Sequence, residues 1–205
     1  MTTEHTPTLE RIRSAAEAEF LKYGFRSASL RRIVRSVGMT TGAFYGYYES
    51  KEALFDALVC EYYEHVMGEY QATLEAFAEL PPQEQPEQMD KLSGDCMKEM
   101  LLYMTEHRDA FHLLLQCAEG TRYGAMVDDA VALEEDATHR YYEVLGKLGH
   151  PVPHIDARLE HILVTGMMNA YFEIVRHDMP LPDAMRYLEE LHAFYIAGWM
   201  KIMGQ

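Results

Sequence analysis

Between Thr40 and Lys51 the chain sets small and hydroxyl-bearing residues, Thr40, Thr41, Gly42 and Ala43, just ahead of Tyr45, Tyr47 and Lys51. Residue types in this order suit nucleic-acid contact better than bond breaking. Small residues at the leading end of a helix let it approach base edges, and Thr41 with the peptide backbone at Gly42 is placed for that approach. The hydroxyls of Tyr45 and Tyr47 and the amine of Lys51 suit phosphate oxygens, which fix position without reading sequence. Lys51 also falls in the first turn of a following helix, where free N–H groups favour an anion. Upstream, Ser29 opens a short helix that carries Arg31, Arg32 and Arg35. A solvated basic face is the default for such a cluster, and Arg31, at the leading end, is the one expected to touch DNA. The candidate DNA-contacting set is therefore Ser29, Arg31, Thr40, Thr41, Gly42, Ala43, Tyr45, Tyr47 and Lys51.

Helices are needed to hold that set, and the pattern supplies them. Ser29 is a cap candidate, and Leu30, Ile33, Val34 and Val37 recur at helical spacing. Gly38 stands where the helix must stop, Met39 fills the turn, and Thr40 caps a second short helix whose buried side is expected to be Ala43, Phe44 and Tyr48. Two short helices across a glycine turn make a unit whose second helix can enter a major groove. A preceding helix is predicted from Thr8 to Tyr23, ended by Gly24, with Leu9, Ile12, Ala16 and Phe20 on its packing face. Ser50 caps a long fourth helix reaching about Leu80, roughly 45 Å at 1.5 Å per residue.

In Ile12, Ala15, Ala16, Phe20, Gly24, Phe25, Ser29, Ile33, Gly38, Gly42, Tyr45 and the Ser50-Lys51-Glu52-x-Leu54 run, the chain resembles the DNA-binding domain of the tetracycline-repressor (TetR) family of transcriptional regulators. It departs at Val34 and Val37, where the family has small alanines, and at Tyr47, where a histidine is common. The resemblance implies a repressor that pairs its last two helices into an intersubunit four-helix bundle, with a ligand cavity in the body.

The fold class expected is all-α, with an N-terminal three-helix helix-turn-helix domain (1–50) and a C-terminal helical effector-binding and dimerisation domain (51–205). Pro81, Pro82 and Pro86 break the pattern after the fourth helix. Further helices are predicted over about 87–106, 109–118, 126–148, 155–177 and 182–203, with a bend at Gly120 and Gly124 and a loop at 149–153. The body is rich in methionine and aromatic residues, which are adaptable and flat respectively and suit a pocket for a hydrophobic or aromatic effector. Such stripes are more often plain core. The pocket candidates are Met97, Met100, Met104, Phe111, Tyr123, Tyr141, Met168, Tyr171 and Phe172. Ile162 to Phe172 and Ala193 to Met200 carry no charge on any side, so a second copy of the chain is the natural cover, giving a homodimer through the last two helices. A two-fold dimer matches a palindromic double-stranded operator.

The net charge of −15 argues against nucleic acid until it is divided along the chain. Residues 1–52 hold eight Lys/Arg against six Asp/Glu, and the remainder ten against twenty-seven. A slightly basic head on an acidic body confines DNA contact to one end. No nucleophile elbow, glycine-rich phosphate loop or paired carboxylates stand out, so an enzyme is not expected, and no cofactor. Glu189 and His192 form one ExxH pair, and Asp109–His112 and Asp136–His139 share its spacing, which resembles a ferritin-like di-metal bundle; with one true ExxH, no metal is expected. His150 and His154 are expected to be solvated. Cys60, Cys96 and Cys117 read as reduced thiols. No charge-free run is long enough to span a bilayer, and the first residues lack a secretory pattern, so a cytoplasmic location and no membrane partner are expected.

Overall fold

Apolar residues at spacing three and four build helices, and the computed structural model, which describes residues 5–150 and 155–203, is helical throughout, with no strand among the described residues. In chain order the helices are α1 (His5–Ser27), α2 (Leu30–Ser36), α3 (Thr41–Phe44), α4 (Lys51–Glu79), α5 (Gln85–Glu106), α6 (Arg108–His112), α7 (Met126–Lys147), α8 (Ala157–Arg176) and α9 (Leu181–Ile202). Pro151, Val152, Pro153 and His154, part of the predicted loop, lie outside the described residues. No helix of the described residues is long and apolar enough to cross a membrane.

Several boundaries differ from the sequence expectation for local reasons. Gly24 does not end α1: it kinks it at φ 69°, and the helix resumes to Ser27. The second short helix is regular only over Thr41–Phe44, because Gly46 and Tyr47 then donate to the Ala43 and Phe44 carbonyls in tighter three-residue turns. Pro86 does not break α5 but sits in its first turn, where the missing N–H has no helical partner to lose. After α6 the backbone widens into one π-helical turn, Leu113–Cys117, whose Leu113, Leu114 and Cys117 are buried; a 3₁₀ turn, Arg122–Ala125, leads into α7.

The chain divides into two compact units. Their border differs from the expected division after residue 50: Met1–Glu64 and His107–Ala125 form one unit, His65–Glu106 and Met126–Gln205 the other. The segment 107–125 therefore returns to the N-terminal unit. There α1 packs on α2 and on the π-helical turn. At its centre Phe20, Phe25 and Phe55 meet with ring centroids 5.1 to 5.8 Å apart, and the Tyr123 ring lies 6.2 Å from Phe55. Ile12, Ala16, Phe20, Ile33 and Phe44 are buried, as the helical spacing requires.

In the C-terminal unit α8 packs on both α7 and α9, and α9 also packs on α5. Its core includes Leu101, Met104, Val164, Met168, Tyr171 and Phe172. The buried Tyr171 hydroxyl donates to the Met97 carbonyl at 2.9 Å, so the phenol enters the core with its polar end satisfied.

Candidate nucleic-acid interface

Gly38 makes the turn between α2 and α3. Its φ of +74° is a left-handed conformation that strains any residue bearing a Cβ. The turn closes through the Met39 N–H on the Val34 carbonyl at 2.8 Å. Thr40 is extended, and its Oγ1 accepts from the Ala43 N–H at 3.1 Å, the N-cap bond that starts α3. Phe44 and Tyr48 turn inward and are buried, with their rings stacked at 5.9 Å. Ala43, expected on the buried side, is exposed. So short a helix buries only what its two inward aromatics cover. The outward side presents Gly42 and Ala43 exposed, Thr41 half-buried and Tyr45 at 56% exposure.

The surrounding side chains fix this face. The Arg11 guanidinium donates to the Val37 carbonyl at the end of α2 (2.9 Å), and Arg13 donates to the Tyr48 hydroxyl (2.9 Å). Glu19, which the sequence reading did not single out, accepts from Arg32 at 2.7 Å and from the Ser29 N–H at 2.8 Å. Ser29 thus occupies the N-cap of α2, but its hydroxyl makes no capping bond there; the α1 carboxylate takes the Ser29 backbone donor. Arg32 also stacks over the Tyr23 ring at 4.3 Å, and Arg31, Arg32 and Arg35 are all exposed. In the sequence Glu19 is an acid of α1 that no local spacing links to Ser29 or Arg32, ten and thirteen residues on.

Lys51 is placed differently from a surface phosphate clamp. Its Nζ donates to the Phe25 carbonyl at 2.7 Å and the Ala28 carbonyl at 3.3 Å, and lies 4.3 Å from the Phe25 ring centroid. The ammonium satisfies carbonyls at the end of α1 while Ser50 Oγ caps α4 through the Ala53 N–H at 3.0 Å. Tyr47 is half-buried.

The methionine and aromatic set divides between the units. Phe111 and Tyr123 fall in the N-terminal unit: Phe111 is fully buried beside Tyr62, and the Tyr123 hydroxyl donates to Asp56 at 2.6 Å while accepting from Arg122 at 2.6 Å. Both rings are spent on that unit's own packing. The C-terminal unit contains a partly open cavity of about 120 Å³, lined among others by Met97, Tyr141 and Met168, together with Tyr70, Glu134 and Trp199. Met100, Met104, Tyr171 and Phe172 are buried in the same unit but do not line that cavity.

Among the described residues no three His, Cys, Asp or Glu side chains converge as a metal group would need. Glu189 pairs with Lys98 at 3.5 Å while His192 faces Ser93 at 2.9 Å, so the ExxH pair points two ways. His139 meets Glu160 at 3.1 Å and Asp136 meets Arg140 at 3.3 Å. The free cysteines are Cys60, Cys96 and Cys117, the last two buried.

The Glu19 network carries a pH signature. Burial by itself pushes the Glu19 carboxyl up, but the Arg32 hydrogen bond, the Ser29 N–H and the charges of Arg32 and Lys22 outweigh it and hold the carboxyl below the usual carboxylate range. A group whose folded value is depressed stabilises fully above its unfolded value and loses that contribution as pH falls through the folded one. Glu19→Gln is therefore expected to unfold at lower urea than the native chain at pH 7, with the gap closing as pH falls below the usual carboxylate range. A gap that persists unchanged at pH 2 would show that Glu19 acts by shape and not by charge.

Comparison with known proteins agrees with this geometry. Residues 12–58 match the family described as bacterial regulatory proteins, tetR family. Over 75 residues the chain is 36% identical to the HTH-type transcriptional regulator UidR of Escherichia coli, a stretch covering 37% of this chain and 38% of that one. It is 35% identical over 66 residues to the uncharacterized HTH-type transcriptional regulator YdgC of Bacillus subtilis, covering 32% and 34%. The matched stretch thus spans well under half the length of these curated relatives. Among solved structures, the fatty acid degradation regulator FadR from Bacillus halodurans superposes with a TM-score of 0.55 at 13% identity, covering 92% of this chain and 98% of that one. A TetR-like transcriptional regulator from Rhodococcus sp. RHA1 gives 0.52 at 16%, covering 93% and 96%. At such identities the structural likeness is one of fold, and the sequence match rests on the helix-turn-helix itself. With Gly38 in its turn, Thr40 at its cap and the matched residues running into α4, residues 12–58 are similar in sequence to the tetR family of bacterial regulatory proteins.

Proposed function

We propose that this protein is a homodimeric DNA-binding transcriptional regulator, acting as a repressor that a small hydrophobic or aromatic effector releases from a palindromic operator. The observation that carries the reading is the outward face of α3, where Thr41, Gly42, Ala43 and Tyr45 stand clear while Phe44 and Tyr48 anchor the helix from below. Exposed small residues permit close groove approach, and Tyr45 with Arg31 supplies phosphate donors beside it. Lys51 supports the interface by holding the end of α1, and Ser29 by presenting its backbone to Glu19.

The dimer is supported by apolar side chains left uncovered on the last two helices. On α8 they are Leu159 and Ile162, the latter 64% exposed, with Gly166 also exposed on that helix; on α9 Ala193, Phe194, Ala197 and Gly198 share one face, with Phe194 71% exposed. Solvent contact at a ring like Phe194 is unfavourable, and small neighbours allow a second helix to approach. The cavity supports an effector. Tyr70, Thr73 and Phe77 of α4 line it, and α4 is the helix that begins at Lys51, so a ligand pressing on those side chains has a continuous element through which to bias operator affinity. Operator affinity that is unchanged by a ligand shown to fill the cavity would sink this coupling.

Selection of bound fragments from random double-stranded DNA tests the reading, and a palindrome is expected; failure of the native chain to retain DNA would overturn it. On the recovered operator, Arg31→Ala and Tyr45→Phe are each expected to weaken binding by on the order of threefold to tenfold. Only Arg31→Ala should also reduce the slope of log affinity against log salt, by about 1. Phe194→Glu is expected to convert a dimer into a species of 23.6 kDa by light scattering. An unaltered dimer mass in that variant would move the interface elsewhere.

A further inference from the structure

The cavity of the C-terminal unit is lined mainly by apolar and aromatic side chains, and Glu134 of α7 is the one carboxylate among its lining residues. The Tyr70 hydroxyl of α4 donates to Glu134 Oε2 and fixes the orientation of the carboxyl. No lysine or arginine lines the cavity among the described residues. The other titratable groups facing it are Tyr141 of α7, Cys96 of α5, and His192 and Tyr195 of α9. His192 supplies no countercharge: burial pushes its imidazole below the ordinary value, in spite of Asp90, and the ring is engaged with Ser93. A half-buried acid thus stands in an aromatic-rich wall with a phenol as its partner and no lysine or arginine lining the cavity with it.

We propose that the cavity takes an organic cation of arylalkylammonium type, its ammonium meeting the Glu134 carboxylate and its single ring packing among Phe77, Tyr141 and Trp199. The inference rests on the cavity being an effector site and adds the chemical class of the effector. Three physical points select the class. First, size: a cavity of about 120 Å³ is comparable with an engineered apolar cavity of about 150 Å³ that holds benzene, so one ring and a short chain fit, and a fused polycyclic does not. Second, charge: burial raises the Glu134 carboxyl above its ordinary range, the direction expected of an acid with no cation beside it. An ammonium supplies the missing countercharge, and a charge-assisted hydrogen bond forms in a largely apolar surround. Third, the faces of Phe77, Tyr141 and Trp199 attract a cation as well as an apolar ring. An anion of the same shape brings no countercharge to the carboxyl, and a neutral one gains the packing with at most an uncharged donor's hydrogen bond.

Trp199 is the chain's single tryptophan and lines the cavity, so its fluorescence reports occupancy in the full-length protein. Phenethylamine, 2-phenylethanol and phenylacetate present nearly one shape with positive, no and negative charge. At neutral pH the amine is expected to bind at least about tenfold more tightly than the alcohol, with phenylacetate the weakest. In Glu134→Gln the amine should lose that advantage while the alcohol keeps its affinity within about twofold, since its packing contacts are unchanged. An amine no tighter than the alcohol in the native chain, or an advantage that survives Glu134→Gln, overturns the cation assignment while alcohol binding leaves the cavity reading standing. If none of the three perturbs Trp199 or registers by calorimetry, both the cavity reading and the cation assignment fail. The native-chain comparison decides the matter even if the variant does not fold.

Discussion

The junction of α1 with the start of α4 is the constraint on which the N-terminal unit depends. Phe20 and Phe25 from α1 clasp Phe55 from α4, and the Lys51 ammonium closes the cluster by lying over Phe25 while bonding the carbonyls of Phe25 and Ala28. Apolar area, ring geometry and a charge-assisted bond therefore act at one place. α2, the Gly38 turn and α3 lie between these two helices in sequence, so both of their ends are tied: Glu19 and Arg11 hold α2 from the α1 side, and Ser50 starts α4 immediately beyond Tyr48. α3, at four residues, is far too short to be helical on its own, and its geometry is imposed by this frame.

The same economy of polar groups appears in both units. Arg122, Asp56 and Tyr123 form a closed set in the first, so a tyrosine that looks like a pocket lining in sequence is a packing and hydrogen-bonding element of the N-terminal unit. In the second, Tyr171 spends its hydroxyl on the Met97 carbonyl, and Tyr70 spends its own on Glu134. The difference lies in what each acceptor still requires. A backbone carbonyl is neutral and content with one donor, whereas a carboxyl in apolar surroundings stays short of countercharge. That contrast sets Glu134 apart from the Met97 carbonyl as the acceptor on which the proposed cation site rests.

Most of the fold was legible because its signals are local. The helical spacing of Ile12, Ala16 and Phe20, the Gly38 stop, the Thr40 cap and the Ser50 cap each depend on neighbours within about one turn, and each is where the pattern put it. Less legible were positions whose role depends on distant partners. Ser29 stands at the cap of α2, but its hydroxyl makes no capping bond and its backbone N–H goes to Glu19, ten residues earlier. Lys51 has the type of a phosphate ligand, yet the nearest acceptors are carbonyls of α1. Met97, Tyr141 and Met168 line the cavity while Met104 and Phe172 fill core, and nothing in their chemistry separates them.

By itself the sequence determined an all-helical chain with a helix-turn-helix near its start and an acidic, methionine-rich remainder, because periodicity, capping and charge are properties of short stretches and running sums. Only the tertiary structure decided that residues 107–125 join the N-terminal unit, that Tyr123 and Phe111 serve that unit, and that a cavity forms around a glutamate. Those outcomes turn on which faces meet across long sequence separations. A face is specified by its whole partner surface, and no single stretch contains both sides of it.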